Sequence, residues 1–157
     1  MTGSSMPKPG DPAPPFSLRS DDDIEVSLDM FRGKKVVLYF YPRDDTSGCT
    51  TEACGFRDSW DAIERAGAVV LGVSPDGEAS HREFKATYRL PFPLLADPDH
   101  AVATAYGAWG KKSMYGKSYH GILRTTFIID ESGTVLEVFE KVKPKGHAAE
   151  VLALLKG

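Results

Sequence analysis

The chain has little of what several common functions require. Only two of its 157 residues are cysteine, too few for a disulfide framework, and two thiolates supply half of a tetrahedral zinc set. None of the four histidines lies near them in sequence. There is no run of 18 apolar residues, and therefore no candidate for a membrane-spanning helix. There is no block of like charge either. The 19 Lys and Arg against 22 Asp and Glu give a formal net charge of −3, which offers no electrostatic support for nucleic-acid binding and suits a small or neutral substrate better. Residues 1–10 lack the apolar core of a secretory signal, which points to a reducing cytoplasm, where a cysteine pair more often serves catalysis or redox sensing than structure. With 41% hydrophobic and 26% charged residues, the composition fits one globular domain over residues 1–157, with residues 1–10 as a flexible N-terminal arm.

What is there is concentrated. Both cysteines fall in one stretch, Pro42-Arg43-Asp44-Asp45-Thr46-Ser47-Gly48-Cys49-Thr50-Thr51-Glu52-Ala53-Cys54. A β-branched and aromatic run precedes it, and the stretch itself passes through a polar turn into residues with helical spacing. Cys49 is therefore expected just inside a helix N-terminus, with Thr46 or Ser47 as N-cap. A free thiol is only about 3% ionised at neutral pH, whereas the unpaired N–H groups and partial positive charge of a first helical turn favour thiolate. The two thiols should differ, with Cys49 attacking and Cys54, deeper in the helix, a more ordinary and partly buried thiol. Free cysteine is often just a small buried hydrophobe. The polar turn, the helix-start position and the absence of other cysteines favour function here.

The spacing also constrains the chemistry. Residues five apart in an ideal helix are displaced by about 7.5 Å along the axis and about 140° around it, which puts their Cα atoms roughly 8–9 Å apart. A disulfide needs less than about 7 Å. A bridge between Cys49 and Cys54 would therefore require the first turns to unwind, and Gly48 and Gly55 flank the segment that would move.

Around this stretch the chain reads as alternating strands and helices. An extended, proline-rich arm fills residues 1–15, Asp21-Asp22-Asp23 reads as a hairpin tip, and residues 27–33 read as one capped helical turn. Residues 35–41 and 68–73 read as buried strands on either side of one reactive helix that runs to Gly67. Next come a helix from Glu78 to Tyr88, a short strand at Leu94-Leu95 and a short helix ending near Gly107. Residues 109–121 show no period and are expected as a long loop over the active-site side. A strand at residues 124–130, a turn, a returning strand at 134–139 and a helix over 147–156 complete the chain. The order implies an α/β fold of thioredoxin-like architecture, with a central mixed β-sheet flanked by helices on both faces.

The pattern Pro42-x-x-x-Thr46-x-x-Cys49 resembles the active-site motif of the peroxiredoxins, and the Cys49/Cys54 spacing resembles their bacterioferritin-comigratory, or Q, subfamily. Gly10-Asp11-x-Ala13-Pro14-x-Phe16, Gly72-Val73-Ser74, Leu94-Leu95-x-Asp97 and Arg124-Thr125-Thr126-Phe127 extend the likeness over nearly the whole chain. The resemblance implies a thioredoxin-dependent peroxidase that reduces hydrogen peroxide and organic hydroperoxides with thiols alone, without haem, flavin or metal. Cys49 would become a sulfenic acid, and Cys54 would condense with it to an intramolecular disulfide before overoxidation. Thioredoxin or a glutaredoxin-like donor would regenerate the thiols. Thr46 and Arg124 would supply hydrogen bonds to the thiolate–peroxide array, Pro42 would shield the site, and Glu52 would orient Arg124 unless it is only a first-turn carboxylate on the helix dipole. The subfamily leans toward a monomer.

Tyr41, Trp109 and Tyr115 are candidates for a pocket wall, with a core role favoured for each. His81, His100, His120 and His147 read as structural or surface residues, and Ser74 as a strand-end turn residue. Two other functions fit parts of the pattern. A peroxide-responsive sensor or holdase would use the helix that must unwind as its switch. A thioredoxin-like disulfide reductase fits less well, because the cysteines are not Cys-x-x-Cys and no proline precedes the Arg124 strand.

Overall fold

The computed structural model describes residues 6–156. A hairpin of β1 (Ser17–Ser20) and β2 (Glu25–Ser27) opens the fold and turns at Asp21-Asp22-Asp23, followed by one 3-10 turn at Leu28–Phe31. Then come β3 (Lys35–Phe40), α1 (Ser47–Asp58), α2 (Trp60–Arg65), β4 (Ala68–Ser74) and α3 (Glu78–Tyr88). The second half holds β5 (Leu94–Ala96), α4 (Ala101–Ala105), β6 (Trp109–Met114), β7 (Lys117–Ile122), β8 (Thr125–Ile129), β9 (Val135–Phe139) and α5 (His147–Lys156).

Seven strands form one sheet in the order β2-β1-β5-β4-β3-β8-β9. Strand β3 runs parallel to β4, and β4 parallel to β5, while β8 pairs antiparallel with both β3 and β9. Successive residues of β3 point to opposite faces, and each face carries a core. Val36, Leu38 and Phe40 pack with Leu71, Tyr106, Phe127 and Ile129. Val37 and Tyr39 pack on the other side with Phe56 of α1, Ile63 of α2, Phe84 of α3 and Val151 of α5. Burial on both faces explains why β3 and β4 read as unbroken apolar runs. This is the α/β, thioredoxin-like arrangement that the element order implies. Among the described residues no helix is long and apolar enough to cross a membrane.

Two expectations are corrected. Residues 109–121 are not a loop: β6 and β7 pair antiparallel from Trp109↔Ile122 to Met114↔Lys117, closed by a two-residue turn. Tyr115 and Gly116 both have positive φ (53° and 78°), as a primed hairpin turn demands. The hairpin's outer part is solvated on both faces, so it shows no apolar alternation. The reactive helix is also not continuous to Gly67. Ser59 interrupts it between α1 and α2, with its N–H shared between the carbonyls of Gly55 and Phe56.

Of the arm expected at residues 1–10, residues 1–5 lie outside the described residues. Residues 6–13 run beside β9, where Gly10 N–H donates to Val135 O (2.8 Å), Val135 N–H to Asp11 O (2.9 Å) and Ala13 N–H to Gly133 O (2.9 Å).

Gly72 of β4 lies against the fully buried Tyr39 ring, and a Cβ there would come 2.9 Å from the ring's Cζ and hydroxyl. Tyr39 cannot retreat, because its ring packs on Tyr41 and Phe56 at centroid distances of 5.4 and 5.0 Å. Gly72→Ala should therefore destabilise the protein by about 1–3 kcal/mol in urea unfolding, whereas unchanged stability would show that the ring can move.

Candidate active site

Strand β3 delivers the chain through the loop at residues 41–46 into α1. Thr46 is the N-cap, with extended backbone (φ −93°, ψ 157°), and its carbonyl accepts the Thr50 N–H at 2.8 Å. Cys49 is the third residue of α1, in the turn whose N–H groups have no intrahelical partner. Its side chain is 1% exposed.

Arg124 reaches this thiol from another element. Strand β8 pairs with β3 so that Thr125 lies opposite Phe40, which sets Arg124, one residue earlier, at the sheet end where β3 leads into α1. The Val142 N–H fixes its backbone by donating to Arg124 O at 3.1 Å. From there Arg124 Nη2 donates to Cys49 Sγ at 3.4 Å and Nη1 to Glu52 Oε1 at 2.7 Å. Glu52 is three residues after Cys49, hence on the same helix face. Gly48 admits the guanidinium, since a Cβ there would lie 3.3 Å from Arg124 Nη2 and 3.4 Å from the Pro144 ring.

The electrostatics follow from burial. Glu52 is buried, and desolvation pushes its carboxyl up from 4.5 to about 7 against the opposing pull of Arg124. Its Oε2 and the Tyr39 hydroxyl are buried without a hydrogen-bond partner among the described residues. Burial also works against the charge of Arg124, but Cys49 and Glu52 outweigh it and raise its pKa. Burial and then the Arg124 charge hold Lys112, on β6, below its ordinary value. Beside Arg124 lies a cavity of about 280 Å³ whose lining includes Lys112, Leu123, Thr125 and Lys141. With its side chain 18% exposed, Arg124 is the partly exposed member of a contact whose other members, Cys49 and Glu52, are buried.

The fold thus brings Cys49, Glu52 and Arg124 into contact. Thr46 is adjacent in the chain, but its hydroxyl donates to Arg43 O at 3.0 Å and makes no hydrogen bond to Cys49 among the described residues. Pro42 is half-buried in the same loop. Cys54 is half-buried, and both cysteines are free thiols on one helix. Cys54 lines a separate groove of about 420 Å³ between α1 and the start of α5. Among the described residues no group of three or more His, Cys, Asp or Glu side chains could hold a metal ion.

The proposed pocket walls lie elsewhere. Tyr41 is core, with its hydroxyl donating to Asp44 at 2.6 Å. Trp109 is half-buried and stacks on His100 at 3.7 Å. Tyr115, at the hairpin tip, is 96% exposed and belongs neither to a pocket nor to the core.

His81 is fully buried, with Nδ1 2.7 Å from Asp44 Oδ2 and Nε2 2.9 Å from Leu95 O. Because Leu95 O only accepts, Nε2 is the ring nitrogen that donates to it. Asp44 also accepts from Ser80 Oγ at 2.7 Å, while its N–H donates to Asp76 Oδ2 at 2.7 Å. This network clasps the loop before Cys49 to α3 and the end of β4. Sequence reading left Asp44 without a role, since 37 residues separate it from His81. His147 is buried between Thr126 and Glu150, with contacts of 2.8 and 2.7 Å, and burial lowers its pKa.

A carboxyl raised from 4.5 to about 7 keeps its proton in the folded chain at pH values where the unfolded chain has released it. Folding stability is therefore lost as pH climbs through that window. Between pH 5 and 8 the wild type should lose on the order of 2 kcal/mol more stability than Glu52→Gln does. Urea unfolding at the two pH values measures the difference, and equal losses would contradict the raised Glu52 pKa.

Relatives carry the same architecture. The chain matches the AhpC/TSA family over residues 9–138. A Coxiella burnetii relative is 53% identical over 146 residues, covering 93% of this chain and 97% of its own. Peroxiredoxin Bcp of Bacillus subtilis is 48% identical, with 94% of each chain covered. Among solved structures, Xanthomonas campestris Peroxiredoxin Q superposes with a TM-score of 0.86 at 41% identity, over 90% of this chain and 89% of that one. A mutant of Xylella fastidiosa PrxQ gives a TM-score of 0.91 at 36% identity, over 98% of each chain. The protein therefore belongs to the AhpC/TSA family, among the peroxiredoxins of the Bcp and Q type.

Proposed function

We propose that this single-domain protein is a thiol-dependent peroxidase that reduces hydrogen peroxide and organic hydroperoxides through Cys49. The observation that carries the reading is the contact between Cys49 Sγ, in the first turn of α1, and an Arg124 guanidinium held by Glu52. A fixed cation beside sulfur stabilises thiolate and also the negative charge that develops on oxygen as the peroxide bond breaks. The thiolate attacks the terminal peroxide oxygen, the O–O bond cleaves, and alkoxide or hydroxide departs with the electron pair and takes up a proton from solvent to become alcohol or water. Cys49 is left as a sulfenic acid. Cys54 then attacks the Cys49 sulfur, the sulfenic oxygen leaves as water, and a Cys49–Cys54 disulfide forms.

Both thiols sit in an intact α1 in the reduced protein, so the condensation requires its first turns to open. Pro42 would shield Cys49, and Thr46 would need to turn its hydroxyl from Arg43 O toward the peroxide. Thioredoxin, acting in the cytoplasm on the monomeric enzyme, would reduce the disulfide.

Steady-state peroxide consumption with thioredoxin, thioredoxin reductase and NADPH tests the reading. Cys49→Ser should lose all activity. Cys54→Ser should react once with peroxide and then stall under thioredoxin. Equal turnover by wild type and Cys49→Ser would sink the peroxidase reading.

A further inference from the structure

Lys141, Lys143 and Lys145 alternate with Val142 and Pro144 in the segment between β9 and α5. The three lysines are exposed, whereas Val142 is buried and Pro144 half-buried. The inward residues pin the segment to the active site, Val142 through its N–H to Arg124 O (3.1 Å) and Pro144 against the position of Gly48. The outward lysines form a cationic ridge flanked by Glu140 and Glu150, and none of the three lysines makes an ion pair among the described residues. Such a ridge stands out on a chain of net charge −3.

The ridge runs between the cavity beside Arg124 and the groove that holds Cys54. Lys141 lines the cavity beside Arg124. Lys145, with Pro144 and Gly146, forms one wall of the groove whose other wall holds Cys54 and Thr51. That groove is about 420 Å³, large enough for a short side-chain-bearing loop of another protein to enter. Val142 anchors the segment to the Arg124 carbonyl just before β8, and Pro144 is its contact with the helix that must open when the disulfide forms, so the Val142 anchor can hold the ridge in the oxidised protein.

We propose that the Lys141–Lys145 ridge is the docking surface for the reductant, a dithiol protein carrying acidic residues around its nucleophilic cysteine, and that it brings this partner to Cys54. The inference rests on the peroxidase reading above, which requires an external thiol to regenerate Cys49 and Cys54. The partner's thiolate attacks Cys54 Sγ, the Cys49–Cys54 bond breaks, and Cys49 leaves as thiolate. The partner's second thiol, losing its proton, then attacks the partner's own sulfur in the mixed disulfide and releases Cys54. The partner ends as a disulfide, and this chain regains both thiols. Acidic groups meeting the ridge would steer the encounter, an effect that appears mainly in association rate and weakens with salt.

The test is charge reversal in the double variant Lys143→Glu/Lys145→Glu, with thioredoxin of net negative charge as the probe. Its kcat/KM for thioredoxin should fall by roughly tenfold or more at low salt, and the gap from wild type should narrow as salt rises. Single-turnover oxidation by peroxide and steady-state turnover with dithiothreitol should stay at wild-type values, which separates docking from folding and chemistry. An unchanged kcat/KM for thioredoxin would overturn the docking surface and leave the peroxidase reading standing. An equal loss with dithiothreitol would overturn it too, since the lysines would then serve the chemistry itself. If the wild type turns over with dithiothreitol but not with thioredoxin, both the reductant and its docking surface are contradicted. If the variant alone changes its sedimentation coefficient, the ridge is an interface between copies of this chain, and the inference fails.

Discussion

The Arg124 guanidinium bonds to two buried groups on one helix face, the Cys49 thiol and the Glu52 carboxyl. A buried carboxylate without a cation would neutralise, because desolvation penalises its charge. With Arg124 at 2.7 Å, Glu52 is left near the point of half-ionisation at neutral pH. One Glu52 oxygen grips the arginine, and the other has no partner among the described residues. The guanidinium's other arm is thereby aimed at sulfur. Two features of the architecture serve this geometry, the antiparallel β3–β8 pairing that brings Arg124 to the end of β3 and the missing side chain at Gly48 that lets it approach.

The same region has to be firm in one state and to give way in another. Firmness comes from the loop before α1, where Asp44 is tied to Tyr41, Ser80, His81 and Asp76 in a network that is largely buried. The ability to yield comes from α1 itself, which carries Gly48 and Gly55 and is interrupted at Ser59. The clasp lies N-terminal to Thr46, so opening of the helix between Cys49 and Cys54 need not disturb it. The cationic ridge is tied at Val142 to the Arg124 carbonyl, outside α1, and touches α1 through Pro144 at Gly48.

The main strands and helices were legible in the sequence because burial imposes a period. Helices α3 and α5 fall within the bounds that apolar spacing and caps imply, and β3 and β4 follow from their unbroken apolar runs. The β6–β7 hairpin was not legible. Its outer residues are solvated on both faces, and its turn uses Tyr115-Gly116 where a hairpin signal would ordinarily be Asn-Gly or Asp-Gly. The break at Ser59 leaves no clear trace, since Trp60 and Ile63 continue the apolar face of α1. In the site, the short-range elements were readable: the helix start at Thr46 or Ser47 and Cys49 in its first turn, while Glu52 came from the family likeness. The likeness to the peroxiredoxin motif added Arg124, 75 residues from Cys49. Neither source reveals that Asp44 meets His81, that the Thr46 hydroxyl turns to Arg43, or that the alternating Lys141–Lys145 segment packs beside the cysteines. Those are facts of tertiary packing, with no local periodicity to announce them.

The most direct test of this account is the second-order rate constant for a single oxidation of Cys49 by hydrogen peroxide, followed by stopped flow in wild type and Arg124→Gln without any reductant. If a charged donor fixed beside the sulfur drives the reaction, the variant should be slower by on the order of 100-fold while still unfolding cooperatively. A rate within about twofold of wild type, well short of the loss that removing such a donor brings, would mean that the Arg124 contact is structural and that Cys49 owes its reactivity to the helix terminus alone.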